Sequence, residues 1–586
     1  VLFRSLGRTP CPSRRTHSTY VGGGVNGLGL GACSLIRHSP FAIRHSSFPH
    51  PHSALPFLPR PPYTPPMNRE RLFSQLTAHS GPFDIAIIGG GATGLGAAVD
   101  AASRGHSVVL IEQSDFAKGT SSRSTKLVHG GVRYLKQGNV SLVLEALRER
   151  GLLVRNAPHL VHSLPFVIPS YHWWEGPFYG IGMKVYDTLA GQLGLEPSRS
   201  LSREDMIQLL PTLETEGLSG GVVYHDGQFD DARLAIHLAR TAVDHGAIVL
   251  NHTRACGLIK ENGHIIGVQA ECAESGRQHE IRAHCVINAT GVFVDAIRHM
   301  DDSKCENIVA PSQGVHLVLP REFLPGDSAI MIPRTDDGRV LFAVPWHGRV
   351  IIGTTDTPVH HVSLEPRALP DEIAFLMQHA ARYLTRDPHP SDVLSIYAGL
   401  RPLVAMKKGE ATAALSRDHT ILVADSGLIT ITGGKWTTYR RMAEDVIDHA
   451  EMVGGFGMRH CVTQSLMIHG SATVLDPHDP LAVYGSDAAE IRALAAQQPE
   501  LAGKVHPRLD VTCAEVIFHT RHEMALSVED VLARRSRSLL FDAQASMSAA
   551  PRVAALMATE LHWTPARTAH EVDHFQKLAI GYILEG

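Results

Sequence analysis

The sequence predicts an α/β fold in which a parallel-sheet domain is interleaved with a mixed β-sheet domain and followed by a helical C-terminal domain. Three observations predict it. A βαβ unit opens at Asp84, segments alternating strand and turn fill 311 to 360, and the pattern turns helical from about Ala450. The expected boundaries are a non-globular extension over 1–66, an interleaved body over 67–449 and a helical domain over 450–586. Within the body, one half takes about 81–160, 215–310 and 395–449, and the other takes about 161–214 and 311–394.

The βαβ unit is the most specific of the three. Asp84 to Ile88 form an apolar run with the length of a buried parallel strand, and Gly89, Gly91 and Gly94 supply G-x-G-x-x-G. The first two glycines let backbone approach a pyrophosphate, and the third lets helix pack on strand. A small-residue helix through Ala97, Ala98, Ala101 and Ala102 follows and ends at Gly105. The next strand ends at Glu112, where a carboxylate accepts from a ribose 2′-hydroxyl and disfavours a 2′-phosphate. Gly22, Gly24 and Gly27 repeat the glycine spacing without a strand before them or an acid anywhere in 1–66, so that copy is read as chance. The copy at Gly89 points to a flavin or nicotinamide enzyme.

Composition bounds the remaining possibilities. A chain of 586 residues with 44% hydrophobic content is long enough for several domains around large cores. Eight cysteines lie without C-x-x-C spacing, so neither a zinc site nor a disulfide framework is expected and no metal is assigned. Residues 1–66 hold seven Arg and no acid, which leaves 47 basic against 58 acidic groups in 67–586, a net −11. That balance does not suit nucleic acid. The first 66 residues end in a proline-rich run directly before Met67. They read as an over-extended frame starting properly at Met67, with a mitochondrial transit peptide as the alternative. No stretch reaches the roughly 20 apolar residues of a membrane-spanning helix.

Further elements follow in order. Ala247 to Leu250 read as a strand, Gly257 to Lys260 and Ile265 to Gln269 as a hairpin around Glu261-Asn262-Gly263, and Cys285 to Asn288 as a strand. Ala289, Thr290 and Gly291 would bring backbone back toward the cofactor. Leu428 to Thr432 read as a strand and Thr437 to Glu451 as a helix, with Gly433, Gly434 and Lys435 at its start. Asp230 and Asp231 read as N-terminal helix acids rather than as an acid/base pair. In the C-terminal part, Cys513 to Met524 and Val528 to Arg537 read as helices, and helical spacing brings Val516, His519 and Glu523 together.

Between Gly119 and Leu135 lies Gly-Thr-Ser-Ser-Arg-Ser-Thr-Lys-Leu-Val-His-Gly-Gly-Val-Arg-Tyr-Leu, a dense run of hydroxyl, amide and basic groups suited to a phosphate or isoalloxazine wall. With the cradle, this run resembles the FAD-dependent, quinone-linked glycerol-3-phosphate dehydrogenases. The resemblance continues in Tyr224 to Leu234, Val286 to Gly291, Ile352-Gly-Thr-Thr-Asp356, Gly399-Leu-Arg-Pro-Leu403 and Thr432 to Arg440, and spans nearly all of 80–545. It implies a Rossmann-like FAD domain of the glutathione-reductase and D-amino-acid-oxidase type. It also implies oxidation of sn-glycerol 3-phosphate to dihydroxyacetone phosphate by hydride transfer from C2 to FAD. Electrons would pass to a quinone, at a membrane to which the protein attaches peripherally.

Residue roles follow from the same resemblance. Gly89, Gly91, Gly94, Glu112, Thr120, Ser121, Ser122, Ser124, Lys126, His129, Gly130, Gly131, Ala289, Thr290, Gly291, Gly433, Gly434 and Lys435 would hold FAD. Arg133, Tyr134, Arg401, Arg417 and Lys435 would hold the substrate, because Arg offers a planar fork to phosphate. His316 is the candidate general base, with Arg401 or Lys435 as groups that could polarise the hydroxyl. Val292-Phe293 and Val315 depart from the family's usual residues without removing an ionisable group. Rival readings are a glycerol-3-phosphate oxidase using dioxygen, an amine or amino-acid oxidase of the same fold, and a flavin-binding scaffold. The expected location is cytoplasmic and peripheral to the inner membrane, with mitochondrion as the alternative and a homodimer left open.

Overall fold

The structure, a computed structural model, describes residues 67–131, 139–332, 335–336, 338–404, 418–472, 476 and 479–584. Its first sheet is built on five parallel strands in the order Ile429–Gly433, Gln278–Asn288, Phe83–Ile88, Val108–Ile111 and Ile248–Leu250, with His419–Val423 antiparallel beside the first. Helices Ala92–Ser103, Asp231–Asp244 and Tyr439–Val453 pack against it. That covering explains why Val108–Ile111 is buried throughout and reads as an unbroken apolar run. The expected hairpin is present as Thr253–Glu261 and His264–Cys272, and Asn262 and Gly263 both take the left-handed conformation its tight turn requires.

The second sheet has ten strands. Val309–Pro320 is its spine, pairing along its length with Ser395–Val404 on one side and with Arg349–Gly353 and Thr357–Pro358 on the other. Gly220–Phe229 joins the same sheet through a ten-residue ladder with Val161–Ser170. The sequence reading placed 220–229 and 395–404 with the cofactor half; the structure gives them to the second sheet. Long-range pairing decides membership, and a strand's own pattern does not name its neighbour.

The C-terminal helices Cys513–His522, Ala543–Leu561 and Pro565–Ile580 enclose an apolar core that includes Phe518, Leu540, Val553, Met557 and Phe575. Thr512 and Glu515 form a capping box that fixes the start of the first. The segment expected as a helix over 528–537 winds instead as a π-helix, Asp530–Arg535, and breaks at Arg537 in the left-handed region. Arg534 and Arg535 both reach the buried carboxylate of Asp115. A wider turn lets two consecutive arginines meet one acceptor. Glu523 holds Arg233 through two bonds of 2.7 and 2.6 Å, and Tyr484 bridges Glu515 and His519. No helix among the described residues is long and apolar enough to cross a membrane.

Candidate functional site

Strand Phe83–Ile88 delivers its chain into a turn that accepts no side chains at two points. Gly89 sits at φ +114°, and a Cβ there would lie 2.6 Å from the Ala289 carbonyl oxygen; a Cβ on Gly94 would lie 1.9 Å from the Gly89 carbonyl. The N-terminus of helix Ala92–Ser103 thus lies directly against the strand end, where its dipole favours anionic oxygens. Ser121 Oγ accepts from Ala92 N at 2.9 Å. Glu112 closes the far side: its two carboxylate oxygens accept from Gly90 N at 2.7 Å and Ser114 N at 2.9 Å. Burial pushes its carboxyl up, while those two amide bonds oppose the shift. A glycine cradle, a helix N-terminus and an oriented acid fit the pyrophosphate and ribose of a dinucleotide.

The segment 119–131 forms the wall beyond the cradle. Thr120 Oγ1 donates to Leu400 O at 2.6 Å, and Trp436 Nε1 donates to Ser121 O at 2.9 Å. Lys126 is fully buried, and its ammonium donates to Asp231 at 2.7 Å and to Ser122 O at 2.8 Å. Ser124 Oγ donates to the same Asp231 at 2.7 Å. Lys126 and Ser124 therefore spend these polar atoms on the start of helix Asp231–Asp244 and hold the shape of the wall. Asp230 caps that helix through Arg233 N, in keeping with the helix-acid reading, and also pairs with Arg537. At the end of the wall, His129 N donates to Thr437 Oγ1 at 3.3 Å and Gly130 N to Tyr186 Oη at 2.8 Å. Arg133, Tyr134 and Arg417 lie outside the described residues.

A cavity of about 940 Å³ opens between this wall and the second sheet, and His316, Arg401, Gly433, Gly434 and Lys435 line it. Strand register places the first two. His316 lies opposite Tyr397, Gly314 opposite Gly399 and Ser312 opposite Arg401, so all six share one face, and the missing side chains of the glycine pair admit Arg401 and Thr354 over Gly314 and Arg123 over Gly399. A Cβ on Gly314 would stand 2.5 Å from Arg401 Nη2. Arg401 donates to Thr354 Oγ1 at 3.1 Å, Thr355 O at 2.9 Å and Asp356 at 3.1 Å. Its outer face remains on the cavity.

His316 is 3% exposed. Its ring stacks on Tyr397 with centroids 4.7 Å apart, and Nε2 lies 2.9 Å from Thr125 Oγ1. Burial, then the charges of Lys126 and Arg401, hold the imidazole well below its ordinary pKa, so it is neutral. Lys435 is half-buried and precedes the turn Trp436–Thr438 and helix Tyr439–Val453. Gly433 and Gly434 take left-handed φ of +82° and +71°, which turns the chain from strand into that helix. Ala289 packs on Gly89, and Thr432 Oγ1 donates to Gly291 O at 3.2 Å, so the three returning strand ends meet around the cradle.

Several residues of the site escaped the sequence reading. Asp356 lies inside Ile352-Gly-Thr-Thr-Asp356 but gave no sign that it would hold Arg401. Asp226 is buried, accepts from Arg150 at 2.9 Å and Tyr186 at 2.7 Å, and fixes the hydroxyl that grips Gly130. Helix Glu175–Ala190 supplies an apolar cavity wall through Phe178, Ile181, Met183 and Val185.

The fold and the site define an FAD-dependent oxidoreductase. A family model described as FAD dependent oxidoreductase matches residues 84–440, and one described as the C-terminal domain of alpha-glycerophosphate oxidase matches residues 431–568. The chain is 40% identical over 541 residues to a mitochondrial glycerol-3-phosphate dehydrogenase of Arabidopsis thaliana, covering 84% of this chain and 85% of that one. It is 39% identical to the mitochondrial glycerol-3-phosphate dehydrogenase of Mesocricetus auratus, covering 87% and 75%. The solved glycerol-3-phosphate dehydrogenase of Bacillus halodurans, complexed with FAD, superposes with a TM-score of 0.72 at 28% identity, covering 88% and 97%. The chain belongs to the FAD-dependent glycerol-3-phosphate dehydrogenase family.

Proposed function

We propose that this protein oxidises sn-glycerol 3-phosphate to dihydroxyacetone phosphate and passes the electrons to a membrane quinone. The observation that carries the reading is the lining of one cavity: the guanidinium of Arg401, the neutral imidazole of His316 and Lys435 share it with the apolar side chains of helix Glu175–Ala190. FAD, when bound in the cradle, accepts the C2 hydride. The protein's own groups do the rest. Arg401, aimed by Asp356 and Thr354, anchors the phosphate with a planar fork, joined by Arg133, Tyr134 and Arg417. Neutral His316 receives the hydroxyl proton, and Lys435 with the amides that begin the following helix stabilises negative charge at the flavin edge.

The apolar helix supports a quinone as the acceptor. Phe178, Ile181 and Val185 lie on one face of helix Glu175–Ala190, are 52%, 70% and 45% exposed, and line the same cavity as His316; Trp173, just ahead, is 86% exposed. Such a face suits the interfacial layer of a bilayer and gives a lipid-soluble quinone a route to the flavin. The names of the plant and hamster relatives favour a mitochondrial membrane over the cytoplasmic one. The domain boundaries given above stand as the proposed organisation, with 220–229 and 395–404 moved to the substrate half. Anaerobic addition of sn-glycerol 3-phosphate to the holoenzyme should bleach the flavin band near 450 nm, and a water-soluble quinone should restore it faster than dioxygen. A flavin that stays oxidised refutes the substrate; rapid reoxidation by dioxygen with stoichiometric peroxide makes the protein an oxidase.

A further inference from the structure

His316 lines the cavity but offers it little surface, being 3% exposed. Its ring is sandwiched between Tyr397 and the chain at Gly353, where a Cβ would fall 2.2 Å from its Cδ2. Tyr397 is itself pinned, its hydroxyl donating to Ser124 O at 3.0 Å. Nδ1 is enclosed within the protein and has no hydrogen-bond partner among the described residues, so it offers nothing to a ligand in the cavity. The other nitrogen, Nε2, is engaged by Thr125 Oγ1 at 2.9 Å, and Thr125 is half-buried on the cavity wall. In this orientation the nitrogen nearest the cavity wall is the one already engaged by Thr125.

We propose that the Thr125 hydroxyl is the group that touches the substrate's C2 hydroxyl and that it relays the proton to His316 Nε2. This rests on the function proposed above. The C2–O–H proton passes to Thr125 Oγ1 as the Thr125 proton passes to Nε2; the C2–H pair leaves as hydride to the flavin, and C2–O becomes a carbonyl. Thr125 ends with the hydroxyl it began with, His316 carries the released proton, and the two electrons are on the flavin. For the relay to run forward Nε2 must be the bare nitrogen and Nδ1 the protonated one. Thr125 donating inward to Nε2 leaves its oxygen lone pairs free to accept from the cavity side.

The test compares Thr125→Val, which keeps the shape, with Thr125→Ser, which keeps the hydroxyl, as holoenzymes. Flavin content and the Kd of dihydroxyacetone phosphate, read from the shift it causes in the flavin spectrum, should stay within about threefold of wild type in both variants, well under 1 kcal/mol. Anaerobic flavin reduction should fall about 10²-fold or more in Thr125→Val, the scale of a lost proton acceptor, and recover to within about tenfold in Thr125→Ser. Reduction at the wild-type rate in Thr125→Val overturns the relay, because His316 then takes the proton unaided. Equal loss in both variants also overturns it, since the residue would then only shape the wall. A wild-type flavin that never bleaches refutes the function and the relay together, whereas a bleaching wild type beside an equally fast Thr125→Val refutes the relay alone.

Discussion

Asp356 holds the guanidinium of Arg401 at 3.1 Å, and Ser312, Arg401's register partner on the neighbouring strand, donates to the same carboxylate. An arginine supported this way loses little side-chain freedom when an anion arrives, so its binding energy is not spent on ordering it. Arg401→Ala should raise KM for glycerol 3-phosphate about 10²-fold, roughly the 3 kcal/mol of a charge-assisted pair, and leave bound FAD in place. Asp356→Asn should raise KM about tenfold by freeing the guanidinium. Steady-state kinetics alongside flavin content separates the two effects. Loss of flavin with unchanged KM in the remaining holoenzyme rejects the anchor role.

The cradle glycines should fail in different ways. A Cβ on Gly94 would overlap the Gly89 carbonyl at 1.9 Å, whereas a Cβ on Gly91 meets only Ser121 Oγ, at 3.1 Å. Gly94→Ala therefore forces helix from strand and should lower Tm as well as flavin content. Gly91→Val should fold but purify without flavin, because the side chain occupies the approach to the pyrophosphate. The ratio of flavin to protein absorbance and a thermal melt on each variant check this; a Gly91→Val protein with full flavin disproves the cradle assignment.

Acid should loosen the contact between helix Asp231–Asp244 and the C-terminal region. His159, His237 and His519 are buried among Arg233, His469, Asp487, Tyr484, Glu515 and Glu523. Burial holds all three histidines below their ordinary pKa, His159 down to about 3. Their folded pKa values lie below the unfolded 6.5, so the stability they contribute is complete above pH 6.5 and is lost as pH falls from there toward 3. Asp487 and Glu523 are held below the carboxylate range by His469 and Arg233, and lose stability in the same direction as pH drops through about 4. Tm should be flat from pH 8 to 7 and fall steadily below 6.5, each histidine contributing up to about 1.4 kcal/mol per pH unit. A Tm unchanged between pH 7 and 5 contradicts the neutral, buried state of these rings.

The cradle was legible because every part of it is local: an apolar strand, three glycines at fixed spacing and an acid one strand later. His316, Arg401 and Lys435 were singled out only through the motifs around them, since nothing in one strand states which residue will face it. The register of Val309–Pro320 against Ser395–Val404 sets His316 and Arg401 on one face, and that register is a long-range fact. The same limit hid Asp356 behind Arg401, Asp231 beneath Lys126 and the membership of Gly220–Phe229 in the second sheet. Helix Glu175–Ala190 was missed for another reason. Its glycines and its split burial, Met183 and Tyr186 inward and Phe178 and Ile181 outward, leave no ordinary polar face to reveal it.

That outward face makes the final prediction. Phe178, Ile181 and Val185 fall at helical spacings of three and four, and no basic or acidic residue separates them along the row except Lys184 to one side. Burying three such side chains in a lipid interface is worth roughly 1.5 to 3 kcal/mol each at full burial, enough to hold a protein on vesicles when summed. Replacing all three by Ser should reduce cosedimentation with phospholipid vesicles at least tenfold and slow electron transfer to a vesicle-borne quinone. Flavin bleaching by glycerol 3-phosphate and reoxidation by a water-soluble quinone should remain near wild type, because His316, Arg401 and Lys435 are untouched. Unchanged vesicle binding would place the membrane contact on another surface, and lost bleaching would assign the helix to the fold of the active site.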